Sequence, residues 1–188
     1  LTRFRGPTFA SIVLLMSTVL TACVSQDNGG DVSSKALSQR SDADRSRDVY
    51  RHPVATLDFF GLQPGMTVVE VLPGGGWYTP WLVDRIGSDG VLHAANYADR
   101  MWPLFGMLSE EAIAKRKRTM LEFGGKVAAL GGDASKTQGF SFESVPPQLL
   151  GTVDLVFMAR ALHNLNRFEG SAQTRTRALQ DIRALLKP

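Results

Sequence analysis

The sequence has one cysteine, Cys23, in 188 residues. An internal disulfide and any metal site built from several thiolates are thereby excluded. Histidine is scarce too, and the isolated His52 and His93 do not make a metal site. No charge of one sign dominates. The formal charge is +3, Arg3 and Arg5 supply two of those charges, and without residues 1–22, which hold no acid, the balance is about +1. A basic footprint for nucleic acid is therefore missing. Internal repeats are absent, and the apolar run from Phe9 to Leu20 is only about a dozen residues, short of the ~20 that a membrane-spanning helix needs. What remains, 44% hydrophobic and 21% charged, has the proportions of one globular domain with a preface.

That preface has an order of its own. Arg3 and Arg5 form a basic start, Phe9 to Leu20 an apolar core, and small residues follow, which is the pattern of a secretory signal. The end of the run, Leu20-Thr21-Ala22-Cys23, resembles the bacterial lipobox. The resemblance implies lipidation at Cys23, release of residues 1–22, and a protein tethered to a membrane on the periplasmic face of the cell envelope without spanning it. The plainer reading is an ordinary signal with an incidental cysteine. Residues 23–49 are rich in Ser, Asp, Gly and Arg and offer little to bury, so they are expected to be a flexible tether, ending at most in a short helix. The folded domain is expected over residues 50–188.

Within that domain one stretch organises the rest: Thr67-Val68-Val69-Glu70-Val71-Leu72-Pro73-Gly74-Gly75-Gly76-Trp77-Tyr78-Thr79. A β-branched run ends in a carboxylate, breaks at a proline and three glycines, and reopens as a sequence able to be helical. This predicts strand, tight turn and helix. In an open α/β sheet such a junction is where small molecules bind, because glycine lets a ligand approach the backbone and the helix's first N–H groups point into the cleft. Upstream, residues 54–60 have helical spacing and Gly61 is placed to stop them. Downstream, the pattern predicts a helix over 77–86, a second strand over 91–97 with His93 in its middle, a helix over 108–123, a short third strand over Val127-Ala128-Ala129-Leu130, a fourth over 153–158 and a helix over 171–186. The basic cluster Lys115-Arg116-Lys117-Arg118 spreads around a full helical turn and reads as a solvated face. Alternating strands and helices argue for a parallel sheet covered by helices on both faces.

Taken together, the carboxylate-ended first strand with its glycine turn, Gly132-Asp133 after the expected third strand, and Val153-Asp154-Leu155-Val156 followed by Leu162-His163-Asn164-Leu165 resemble a class I S-adenosylmethionine-dependent methyltransferase. Glu70 to Thr79, preceded by Tyr50-Arg51-His52-Pro53, is more narrowly similar to an exported subgroup of predicted methyltransferases. The resemblance implies a Rossmann-like α/β fold and S-adenosylmethionine as cofactor. It implies Glu70 near the cofactor's ammonium, Gly74, Gly75 and Gly76 along its path, Asn96 at the ribose with Asp99 in support, and Asp133 at the adenine amino group. Arg160 and His163 would line the methyl-transfer cleft, His163 as a general base. With near-neutral charge, the acceptor is expected to be a small molecule.

Each residue also has a plainer role. Glu70 would simply face a helix N-terminus, Asp133 would sit in an ordinary turn, and His163 would be a satisfied histidine beside a strand end. Three features depart from the family pattern. Leu72 stands where a glycine is usual, and Asn96 where an acid is usual. Four strands are expected where the family sheet has seven, so the C-terminal strands would be missing. An exported protein would, moreover, meet little S-adenosylmethionine. The alternative function is therefore a non-catalytic envelope lipoprotein that keeps the fold as a binding module. A dinucleotide oxidoreductase fits poorly, since its fingerprint needs spaced glycines and an acid ending the second strand.

Overall fold

The computed structural model describes residues 35–188. The expected signal, Cys23 and the start of the expected tether lie outside the described residues. In chain order the helices are α1 (Asp42–Arg45), α2 (Asp48–Arg51), α3 (Pro53–Phe59), α4 (Thr79–Ile86), α5 (Glu110–Leu121), α6 (Phe123–Ala129), α7 (Leu162–Asn166), α8 (Glu169–Ala172) and α9 (Thr174–Leu185). The strands are β1 (Thr67–Val71), β2 (Val91–Asn96), β3 (Gly139–Ser141) and β4 (Leu155–Phe157). They form one sheet in the order β3-β2-β1-β4, every pair parallel. This is the α/β, Rossmann-like sheet that the alternating pattern predicts.

The reason lies in how β1 is used. Its run of β-branched residues suits a pleated surface buried on both sides. Val68 faces one layer with Leu57 of α3, Leu82 and Ile86 of α4, and Phe123 and Val127 of α6. Val69 and Val71 face the other layer with Leu165 of α7 and Ala178 and Leu185 of α9. Helices thus cover both faces, and β1 is central, with β2 on one side and β4 on the other. His93, in the middle of β2, is buried and its Nδ1 accepts the Gln138 N–H at 3.1 Å. Burial lowers its pKa to about 4. Because the folded value lies below that of the unfolded chain, His93 costs stability progressively as pH falls from 6.5 through 4. Beyond β4, Leu186 makes a single parallel bridge to Val153.

Two expectations are corrected. The third strand is Gly139–Ser141, and Val127-Ala128-Ala129-Leu130 instead runs through the end of α6. A four-residue apolar run carries no period that separates strand from helix. The deciding contacts are at helical spacing, with Phe123, Val127 and Leu130 all buried in one layer. As a result Asp133 precedes β3 and does not follow it. The second correction concerns the tether, which is folded from residue 35 onward. Residues 35–38 are helical, Ala36 is completely buried, and Ser41 caps α1 by accepting the Asp44 N–H.

This segment docks through polar groups, which is why its composition hid it. Arg40 is 8% exposed, pairs with both oxygens of Asp48, and lays its guanidinium over the rings of Trp77 and Trp81 at 5.1 and 4.7 Å. Trp77 Nε1 donates to the Asp44 carbonyl at 3.0 Å, and Gln39 Nε2 donates to the Ala129 carbonyl at 2.9 Å. A desolvated guanidinium between aromatic faces is a favourable contact that hydropathy does not register.

The short β3 depends on a glycine that lets α5 come close. A Cβ on Gly139 would lie 2.0 Å from the Met120 carbonyl oxygen, whereas one on Gly125, inside α6, would meet nothing. Gly139→Ala is expected to lose about 3 kcal/mol through overpacking. Gly125→Ala should gain about 0.5–1 kcal/mol from helix propensity. Urea denaturation of both variants checks the contrast, and equal effects would mean that β3 is not held against α5.

Candidate functional site

At the carboxyl end of β1 the chain makes a turn that few residues tolerate. Leu72 has φ 51°, Gly74 φ 57° and Gly76 φ 79°. A leucine in the left-handed region costs roughly 1–2 kcal/mol. The surroundings hold it there, because the Leu72 N–H continues the β1–β2 ladder to the Ala95 carbonyl at 2.8 Å while its side chain packs on the α7–α9 face. Gly76 suits its left-handed φ, and the Lys126 side chain reaches in against it, so that a Cβ there would sit 1.9 Å from Nζ. That ammonium donates to the Gly75 carbonyl at 3.1 Å and so ties α6 to the turn.

Two chambers open at this end of the sheet. The smaller, about 240 Å³, lies where β1 and β4 end, with Glu70 to Pro73, Trp77 and Tyr78 on one side and Phe157, Ala159 and Arg160 on the other; Arg51 of α2 completes it. The larger, about 580 Å³, lies where β1 and β2 end and is lined by Gly74, Asn96, Tyr97, Trp102 and, from α5 and α7, Thr119, Met120 and Asn164. Leu72 and Pro73 line both chambers. From β1 the chain goes out through β2 to β3 and then crosses back to β4 on the opposite side of β1. The smaller chamber therefore sits at the switch point of the sheet, where open α/β folds bind ligands.

The electrostatic centre of the turn is Glu70, which is 3% exposed. Among the described residues its one side-chain hydrogen bond is accepted by Oε2 from Thr79 Oγ1, at 2.7 Å, where α4 begins. Burial raises the Glu70 pKa to about 7, against the lowering influence of the Thr79 hydroxyl and the nearby Lys126 ammonium. This carboxyl is thus poised to ionise near neutral pH when a cation arrives.

The other expected site residues divide. Glu70 and Arg160 line the smaller chamber, and Gly74 and Asn96 the larger. Asn96 Oδ1 is partly used, accepting the N–H of Tyr97 at 2.8 Å. Gly75 is exposed and lines neither chamber; its contribution is the carbonyl that Lys126 binds. Asp99 is engaged by Lys117 at 2.8 Å and by Ser141 at 3.2 Å. Asp133 also lines neither chamber. It accepts the N–H and hydroxyl of Ser135 at 2.8 and 2.6 Å, and those bonds hold its carboxyl below the usual range. His163, expected to line the cleft, lines neither chamber: it is exposed on α7, next to Asn164 of the larger one.

Several lining residues escaped the sequence reading. Arg51 was visible only as part of Tyr50-Arg51-His52-Pro53, upstream of the expected site. Lys115 and Arg116 line the larger chamber although their cluster read as a solvated face, and Arg116 reaches over Trp102 at 6.0 Å. Trp102 had no periodic or motif signal at all, and Asn164 was visible only inside Leu162-His163-Asn164-Leu165, with no role of its own.

Similarity to known proteins is carried by structure. No family model and no curated protein matches the chain. Among solved structures, the chain is similar to a SAM-dependent methyltransferase from Aquifex aeolicus, at 26% identity and a TM-score of 0.51, with 83% of this chain and 68% of that one covered. A protein-L-isoaspartate O-methyltransferase matches at 18% identity and a TM-score of 0.34, over 56% of this chain and 27% of its own.

The raised Glu70 pKa sets a direction for stability. Its folded value lies above its unfolded value of 4.5, so its contribution is fully present below pH 4.5 and is lost as pH rises through 7, by about 3 kcal/mol in all. Urea denaturation between pH 4.5 and 8 is expected to show wild type losing that much relative to Glu70→Gln. His93 titrates in both proteins and cancels. Parallel pH profiles for the two would show that Glu70 is not buried as a neutral acid.

Proposed function

We propose that the protein transfers a methyl group from S-adenosylmethionine to a small-molecule acceptor. The observation that carries this is the paired cleft at the carboxyl ends of β1, β2 and β4, divided by the glycine turn. The likeness to the Aquifex aeolicus enzyme supports it.

The residues present fit the cofactor. The larger chamber has more than twice the volume of the smaller, and an adenosyl group is about twice the size of the amino-acid end to which it is joined. Tyr97 and Trp102, stacked edge to face at 5.0 Å, give the larger chamber an aromatic wall suited to a base. Asn96 supplies an amide for the ribose. Gly74 keeps the backbone of the turn open, and Glu70 offers a carboxylate to the cofactor's ammonium. When bound, the cofactor would supply an electrophilic methyl on a sulfonium. What the chain contributes is position: the cleft orients the acceptor, and proximity accounts for much of the rate in such reactions. His163, beside Asn164 on α7, would take the proton that the acceptor's nucleophile gives up.

A second reading is favoured by two observations. Leu72 occupies a strained turn position at the wall between the chambers, and Asn96 already shares its oxygen with the Tyr97 N–H. Both suit a protein that keeps the fold as a non-catalytic binding module. In either reading the lipid at Cys23 would hold the protein on the periplasmic face of a membrane.

Two measurements test these proposals. Calorimetric titration should give saturable S-adenosylmethionine binding, weakened about tenfold by Asn96→Ala, a loss of about 1.4 kcal/mol. Near pH 7 that binding should release protons as Glu70 ionises beside the ammonium, seen as a dependence of the heat on the buffer. A folded protein that binds no S-adenosylmethionine would remove the methyltransferase reading. Binding without transfer of labelled methyl to any candidate acceptor would favour the module. For the anchor, labelling with a palmitate analogue is expected to mark the wild type and to vanish in Cys23→Ala along with membrane association. A protein that stays soluble and unlabelled would refute it.

A further inference from the structure

We propose that Arg51 and Arg160 form the carboxylate subsite of a zwitterion-binding chamber, so that the smaller chamber holds the α-amino acid group of S-adenosylmethionine, its ammonium toward Glu70. This rests on the cofactor reading above and adds to it the residues that select the amino-acid end.

The chamber brings one acid and two guanidiniums to about 240 Å³ of space at the switch point of the sheet. Three other surface arginines take carboxylate partners: Arg85 pairs with Asp58, Arg100 with Glu143 and Arg175 with Glu169. Arg51 and Arg160 take none among the described residues. Arg51 is held through its side chain and Arg160 through its backbone. The Arg51 guanidinium lies 4.3 Å from the centroid of the Trp77 ring, and Trp77 is held by the Asp44 carbonyl and by Arg40 on the same ring. Arg160 follows β4 in the left-handed region, φ 57°, a conformation that a non-glycine residue keeps only when its surroundings impose it.

The half-buried Arg51 and the exposed Arg160 bring two guanidiniums without a carboxylate partner to one chamber, and the fork of N–H donors on each matches a carboxylate. A simple anion would leave the Glu70 carboxyl, 2.7 Å from the Thr79 hydroxyl on one oxygen, with no ligand group of its own in the same chamber. An amino acid group satisfies both ends. The consequence for the fold is that the segment from residue 35 to Arg51 belongs to the binding site, because it carries one of the two arginines and is clasped there by Trp77. Arg160 then acts as a binding residue and not as a catalytic one.

The test compares two ligands on the same protein. S-adenosylmethionine has the amino acid group, and 5′-methylthioadenosine keeps the adenosyl part without it. Arg51→Gln and Arg160→Gln should each weaken S-adenosylmethionine at least tenfold in calorimetric titration while leaving 5′-methylthioadenosine within about twofold. Arg160 is exposed, so its variant reports on the site even where loss of Arg51 loosens the N-terminal segment. Unchanged S-adenosylmethionine binding in both variants would overturn the proposal, and so would a parallel loss of both ligands. If the variants bind S-adenosylmethionine normally but raise KM for the acceptor, the arginines serve the acceptor and the proposal also fails. Wild type that binds neither ligand is a separate outcome, which overturns the cofactor reading itself and this proposal with it.

Discussion

The contact on which the structure most depends is the buried hydrogen bond between Glu70 and Thr79. It joins the last turn-facing carboxyl of β1 to the first residue of α4 and closes the loop of proline and glycines between them. Burying an acid is costly, and the cost appears here as a carboxyl that stays largely protonated up to neutral pH. The turn around it is similarly constrained, with Leu72 held in a left-handed conformation by the β1–β2 ladder and Gly76 pressed against Lys126.

From that contact the layers follow. Lys126 fastens α6 to the turn through the Gly75 carbonyl, and α4 and α6 share one face of the sheet with Val68. On the same side Trp77, directly after the glycines, is gripped by the Asp44 carbonyl, Arg40 and Arg51. The N-terminal segment is thereby fixed at the mouth of the smaller chamber. The smaller chamber is assembled from three separated parts of the sequence: this segment, the β1 turn and the end of β4.

Much of the fold was legible because β1 and β2 are dense in β-branched or small apolar residues and α4, α5 and α9 have helical periods. β1, β2, β4 and those helices fall close to where their patterns put them. The third strand did not, because Gly139-Phe140-Ser141 is too short to show a period and is defined by its pairing with β2. The N-terminal segment was illegible for another reason. Its cohesion comes from an arginine between two indoles and a carboxylate, and hydropathy scores those residues as solvated.

The same division runs through the site. Local sequence by itself determined the α/β class, the strand–turn–helix at Glu70 and the glycines that leave its backbone accessible, since these depend on propensity, periodicity and steric freedom within a dozen residues. Tertiary structure alone decided that Arg51, Trp102 and Asn164 line the same cleft as Glu70 and Asn96, that Asp133 lies outside both chambers, and that Glu70 is buried enough to hold its proton. Those outcomes depend on the order in which parallel strands are laid down and on which helix covers which face, and both are fixed by contacts between residues far apart in the chain.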